Sequence, residues 1–193
     1  MEIGWNRIRL RDVVASKWAL SLSQTINLQS GTGLKSQDER ELDLDALDQK
    51  LQHQLETKMP RWEHRRIQPI EGSKGVLLQT WKIQNRAVSI SVVQEKSAHT
   101  AKEAIQRLAH DPSTHAQPLS GPGEEAYAWG YQNRQIVFRK GRNLVYVEAG
   151  ADVENDPDAR SLSPSQRQAR EESEVKRWRG EFLKHVLDAL DQP

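Results

Sequence analysis

The chain has 193 residues, with 28 basic side chains against 27 acidic ones, no cysteine, and 36% hydrophobic residues. At this length roughly 70% of the unfolded surface can be buried, so a core forms without disulfide or metal, and the missing cysteines exclude disulfides, thiol nucleophiles and thiolate metal centres. The balanced charge argues against a nucleic-acid partner, which draws a basic excess, and no apolar run approaches the length of a membrane-spanning helix.

Residues 1–35 read as an N-terminal strand or arm, and residues 36–193 as a single domain. Arg7–Arg11 alternates, and so does Trp18–Leu28, where Trp18, Leu20, Leu22, Ile26 and Leu28 share one parity. That pattern is a half-buried strand. Val13–Leu22 is interrupted by Ser16 and Lys17, so no signal peptide is read there. The expected location is cytoplasmic if the chain is complete, and periplasmic or extracytoplasmic if a leader precedes it.

Three helices follow, each opened by a capping-box pattern: Ser36-x-x-Glu39, Thr100-x-x-Glu103 and Ser163-x-x-Gln166. The first runs to about Met59, with Leu44, Leu47, Leu51 and Leu55 as its buried stripe. The second spans about Ala98–His110 and turns Ala101, Ala104, Ile105 and Leu108 inward. The third spans about Pro164–Leu190, with Pro164 suited to the first helical position and Val175, Trp178, Phe182, Val186 and Leu190 inward. Strands are expected at Val76–Ile83, Ala87–Val93, Glu125–Tyr131, Gln135–Lys140 and Leu144–Ala149, with a short one at Ile67–Ile70. Asp152–Ser163 reads as a polar, mobile loop.

One phrase occurs twice, as Trp81–Ile90 (WKIQNRAVSI) and Trp129–Phe138 (WGYQNRQIVF). Each copy reads as a hairpin bending at Gln-Asn-Arg, since Asn tolerates positive φ. Either an internal ββα duplication or convergence on common turn residues explains the pair.

Little in the chain reads as catalytic. SGTG and SGPGEE lack phosphate-loop spacing, and no serine has a nucleophile motif. His110 and His115 flank Asp111, but the spacing is poor for a metal. No metal or cofactor is expected. The strand from Glu125 places Glu125, Tyr127, Trp129 and Tyr131 on one face and alanines on the other. Aromatic side chains with polar tips suit a ligand groove, although such a row also makes a core. Basic clusters lie at Arg61, Arg65 and Arg66 around Trp62, at Arg139, Lys140 and Arg142, and at Lys176, Arg177 and Arg179 around Trp178.

The stretch GPGEEAYAW…IVFRKGRNLVYVEAG, and the chain onward to Leu190, resembles small bacterial extracytoplasmic and lipoprotein domains. That resemblance implies a non-enzymatic sensing or binding domain.

The resulting expectation is an α+β fold: a twisted antiparallel sheet of five to seven strands carrying two or three helices mainly on one face. The expected function is a non-catalytic module binding a protein or a small ligand through Glu125, Tyr127, Trp129 and Tyr131, with a homodimer also compatible with the arm. The alternatives are an enzyme built on Glu125 with His110 or His115, and an anionic-polymer binder acting through the arginine clusters.

Overall fold

The structure is a computed structural model and describes residues 41–67 and 75–191. These lie in one of the two units into which the chain divides, residues 35–69 with 75–193. The expected strands at Arg7–Arg11 and Trp18–Leu28, the Ser36 cap and most of Ile67–Ile70 lie outside the described residues.

The fold is α+β. Among the described residues seven strands form one antiparallel sheet: β1 (Glu63–Arg66), β2 (Val76–Ile83), β3 (Arg86–Gln94), β4 (Gln117–Pro118), β5 (Glu125–Trp129), β6 (Gln135–Lys140) and β7 (Asn143–Ala151). Their order is β1-β2-β3-β7-β6-β5-β4, so the sheet is open and β1 and β4 are its edges. Among the described residues three helices accompany it: α1 (Leu44–Lys58), α2 (Ala98–His110) and α3 (Pro164–Asp191).

Alternation along the strands divides the sheet into two faces. Leu77 and Trp81 of β2, Val88, Ile90 and Val92 of β3, Val145 and Val147 of β7, and Ile136 and Phe138 of β6 all point to one side and are buried. They form one core with Leu47, Leu51 and Leu55 of α1 and with Val175, Phe182 and Val186 of α3. Burying each such aliphatic side chain contributes about 2 kcal/mol. The opposite face carries Val137 and Leu144, and α2 lies over β6 and β7 there. Ala101 and Ala104 are buried in α2, and their small size lets its backbone approach the sheet.

The helix starts differ in how they are capped. Ser163 and Gln166 make the reciprocal box: the Ser163 hydroxyl accepts from the Gln166 N–H at 3.3 Å, and the Gln166 side chain accepts from the Ser163 N–H at 2.9 Å. α2 is capped by Ser97 rather than Thr100; the Ser97 hydroxyl accepts from the Thr100 N–H at 3.1 Å. α1 begins at Leu44, where Asp43 accepts from the N–H groups of Asp45 and Ala46, both at 3.0 Å. An Asp at this position satisfies orphan donors and also favours the positive end of the helix dipole.

The repeated phrase builds two different hairpins. In the first copy Trp81 pairs with Val88, and the chain turns at Gln84 and Asn85, so that Arg86 is already in β3. In the second copy Trp129 pairs with Gln135, one residue earlier than the equivalent position. Gly130 (φ 81°) ends β5, and Tyr131–Asn133 form a 3-10 turn with Gln132 and Asn133 at positive φ. A register change of one residue sends a side chain to the other face of a sheet. Trp81 therefore sits in the core at 0% exposure, whereas Trp129 lies on the opposite face. β5 stops at Trp129, so Tyr131 does not continue the row of Tyr127 and Trp129 as the alternation predicts.

The loop after β7 is tied down. Asp152 N–H donates to the Asn85 carbonyl at 2.8 Å, Val153 and Ala159 are buried, and Asp156 is ion-paired.

Candidate functional site

The Trp62 and Trp178 neighbourhood is where the described residues gather apolar and cationic groups around a cleft. Pro60 follows α1, and in the turn before β1 the Trp62 N–H donates to the Met59 carbonyl at 3.0 Å. The inward stripe of α3 supplies Trp178 and Phe182. The Trp62 ring meets Trp178 and Phe182 edge to face, with centroids 5.0 Å and 4.9 Å apart. Trp81 lies behind, 6.1 Å from Phe182, and His64 stacks on it at 4.5 Å.

Beside these rings opens a cleft of about 320 Å³, walled by Lys58–Trp62, by Ile83, Gln84 and Arg86 of the β2–β3 hairpin, and by Trp178. Its volume falls at the small end of ligand sites. Lys58 and Arg61 are exposed and make no ion pair among the described residues. The Arg177 guanidinium lies 4.5 Å over the Trp178 ring. The Trp178 indole N–H is buried and has no hydrogen-bond partner among the described residues, an arrangement that leaves a donor unsatisfied.

Arg86 on the cleft wall is neutralised from behind. Its Nε and Nη2 donate to the two oxygens of Glu174, the latter at 2.8 Å, and Nη2 also donates to Asp156 at 2.9 Å. Arg170 closes the set, 3.0 Å from Asp156 and 3.3 Å from Glu174. The Glu174 bond holds the Arg86 guanidinium firmly charged. The Arg86 bond in turn holds the Glu174 and Asp156 carboxyls below their ordinary range.

A second polar group lies deeper, under α1. Asp48 accepts from Gln79 at 2.6 Å and pairs with Arg66 at 3.2 Å, and the Gln79 carbonyl accepts from the Trp81 indole N–H at 3.0 Å. His64 beside it has an Nε2 with no hydrogen-bond partner among the described residues, and burial pulls its pKa down.

The residues singled out from the sequence fall in separate places. Glu125, Tyr127 and Trp129 share the sheet face opposite the aromatic core and are half-buried. The Tyr127 hydroxyl donates to Glu125 at 2.9 Å, and Trp129 meets Tyr146 edge to face at 6.4 Å. Tyr131 is 58% exposed in the turn beyond, with the Arg134 guanidinium 5.5 Å from its ring. His110 bonds the Gln106 carbonyl at 2.7 Å, and Asp111 accepts from both the N–H and the hydroxyl of Ser113. His115 is exposed at φ 49°.

The arginine clusters also separate. Arg139 pairs with Glu124, Lys140 with Asp191, and Arg142 donates to the Glu95 carbonyl, so this cluster is engaged internally. Of the clusters around Trp62 and Trp178, the two tryptophans and Arg61 border the cleft, whereas Arg66 pairs with Asp45 and Asp48 and Arg179 donates to the Asn133 carbonyl. In the sequence these two clusters stand apart, and no local pattern joins positions so distant in the chain. The shared arrangement of an inward tryptophan flanked by arginines is the one signal there that points to both.

No family model matches the chain, and neither the curated proteins nor the solved structures contain a significant match to it.

Proposed function

We propose that this domain is a non-catalytic binding module, that its site is the Trp62–Trp178 cleft, and that its ligand joins an apolar body to an anionic group. The observation that carries this reading is the pairing of tryptophan walls with the cationic rim of Lys58 and Arg61. Aromatic walls favour a flat apolar body, while the donors favour a carboxylate or a related anion. The acids that pair with Arg86 of the cleft wall, Glu174 and Asp156, are held by two arginines, which supports binding over acid–base chemistry.

The test is calorimetric titration of the full chain with 2-naphthoate, and with 2-naphthylmethylamine as a cation of similar body. The reading expects saturable binding of the naphthoate alone, weakened in Lys58→Ala/Arg61→Ala. Equal binding of both compounds, or of neither, contradicts it.

A second reading places the site on the half-buried row of Glu125, Tyr127 and Trp129. The Tyr127–Glu125 bond and the Trp129–Tyr146 contact favour it, because they fix the orientation of that row.

A further inference from the structure

We infer that the outer edge of β1 is a docking edge for an acidic peptide, which adds as a further strand and places one apolar side chain in the Trp62–Trp178 cleft. The cleft half of this inference rests on the function proposed above; the edge half stands on the sheet itself.

β1 is the outermost strand on its side of the sheet. The Ile67 N–H donates to the Leu78 carbonyl at 3.0 Å, in register with the pairs Arg65↔Thr80 and Glu63↔Lys82. Inward and outward main-chain groups alternate along an antiparallel strand. The N–H and C=O groups of His64 and Arg66 therefore point away from the sheet, and among the described residues no strand lies beyond them. The side chains of this strip are open: Glu63, Arg65 and Arg66 are exposed, and Ile67 is 42% exposed. Such an edge is a template for another extended chain.

Charge selects the partner. From Lys58 to Arg66 the chain carries Lys58, Arg61, Arg65 and Arg66 against Glu63; Arg66 is paired with Asp45 and Asp48, which leaves three positive charges less one, or +2, for a partner to meet. A second copy pairing through the same edge brings two such stretches together, and like charges facing across a strand pair are destabilising. An acidic strand meets the opposite charge instead. β1 also begins one residue after Trp62, so a strand that overruns its start arrives at Lys58, Arg61 and the mouth of the cleft.

The test uses the full chain and a fluorescein-labelled Asp-Glu-Val-Phe-Val-Glu-Asp peptide, read by fluorescence anisotropy. Saturable binding is expected, with a large loss when lysines replace the acids. N-methylation of alternate peptide amides weakens binding on the order of tenfold in one parity and little in the other, because only one set faces β1. Arg65→Glu weakens binding while the thermal melt of the protein is retained. Equal effects of the two N-methylated sets overturn the strand addition, even where 2-naphthoate still binds and the cleft stands. Parity dependence with no naphthoate binding supports the edge and removes the cleft. Sedimentation as a dimer that His64→Pro dissociates shows a second copy on the edge and overturns the acidic-peptide assignment.

Discussion

Trp62 and Trp178 meet edge to face with ring centroids 5.0 Å apart, and this contact joins the turn between α1 and β1 to the middle of α3. One side of the pair belongs to the core and the other borders a cleft. Trp62 is 6% exposed and also touches Phe182. Trp62→Ala removes both ring contacts and is expected to cost about 3–5 kcal/mol in urea unfolding. Trp129→Ala, on the half-buried row with Tyr146 as its ring contact, is expected to cost less than half of that. Equal losses would make Trp129 a core residue and would remove the second reading of the site.

The quartet of Arg86, Glu174, Asp156 and Arg170 is an interlocked and largely buried charge set. Removing one partner of such a set leaves an uncompensated charge away from water. Arg86→Met is therefore expected to lose about 3 kcal/mol. Arg86→Met/Glu174→Met is expected to lose less than the sum of the two single changes, as read from a double-mutant cycle. Strict additivity would show that Arg86 and Glu174 are not energetically coupled and would contradict this account.

Burial pulls the pKa of His64 and of His185 below the ordinary imidazole value. The unfolded chain then takes up protons near pH 6.5, while the folded chain still excludes them. The unfolded state binds more protons in that window, so stability falls as the pH drops below about 6.5. His185 also faces the Gln54 amide nitrogen at 3.2 Å, which suits a neutral ring accepting at Nδ1. The melting temperature is expected to fall from about pH 7 to about pH 5.5, and the fall to flatten in His185→Gln. An unchanged slope would contradict the assignment.

Two glycines of the β5 region differ in what their backbones require. Gly123 has φ +58°, and a Cβ there would collide with the Arg139 carbonyl oxygen. That carbonyl accepts from the Glu124 N–H at 2.9 Å, and this bond extends the β5–β6 ladder. Gly130 has φ +81°, and a Cβ there would meet its nearest neighbour, the Gln135 side-chain oxygen, at 3.5 Å. Gly130→Ala is expected to cost about 1 kcal/mol and Gly123→Ala well over 2 kcal/mol. Comparable urea midpoints for the two variants would contradict this ordering.

Much of the fold is legible in the sequence because local chemistry determines it. The alternation of Val88, Ile90 and Val92, the Ser163–Gln166 box and the stripe through Phe182 each depend on neighbours in sequence. The rest depends on partners far away. Glu63–Arg66 has no strand-like pattern, since it is an edge with little to bury. Asp43 is hidden as a cap because several acids and the Ser36 pattern precede it. The one-residue difference in register between the repeated phrases follows from Gly130, a residue that the identities between the copies obscure. For the site, each arginine-flanked tryptophan is visible, but their meeting is a property of the packing of α1 against α3.

The most direct measurement of the central claim follows the indole N–H signals of the protein during titration with 2-naphthoate. The six tryptophans give six resonances in principle, assigned by single Trp→Phe substitutions. The account predicts that the Trp178 and Trp62 signals move together and saturate while the Trp129 signal stays in place. A moving Trp129 signal beside stationary Trp62 and Trp178 signals would contradict it.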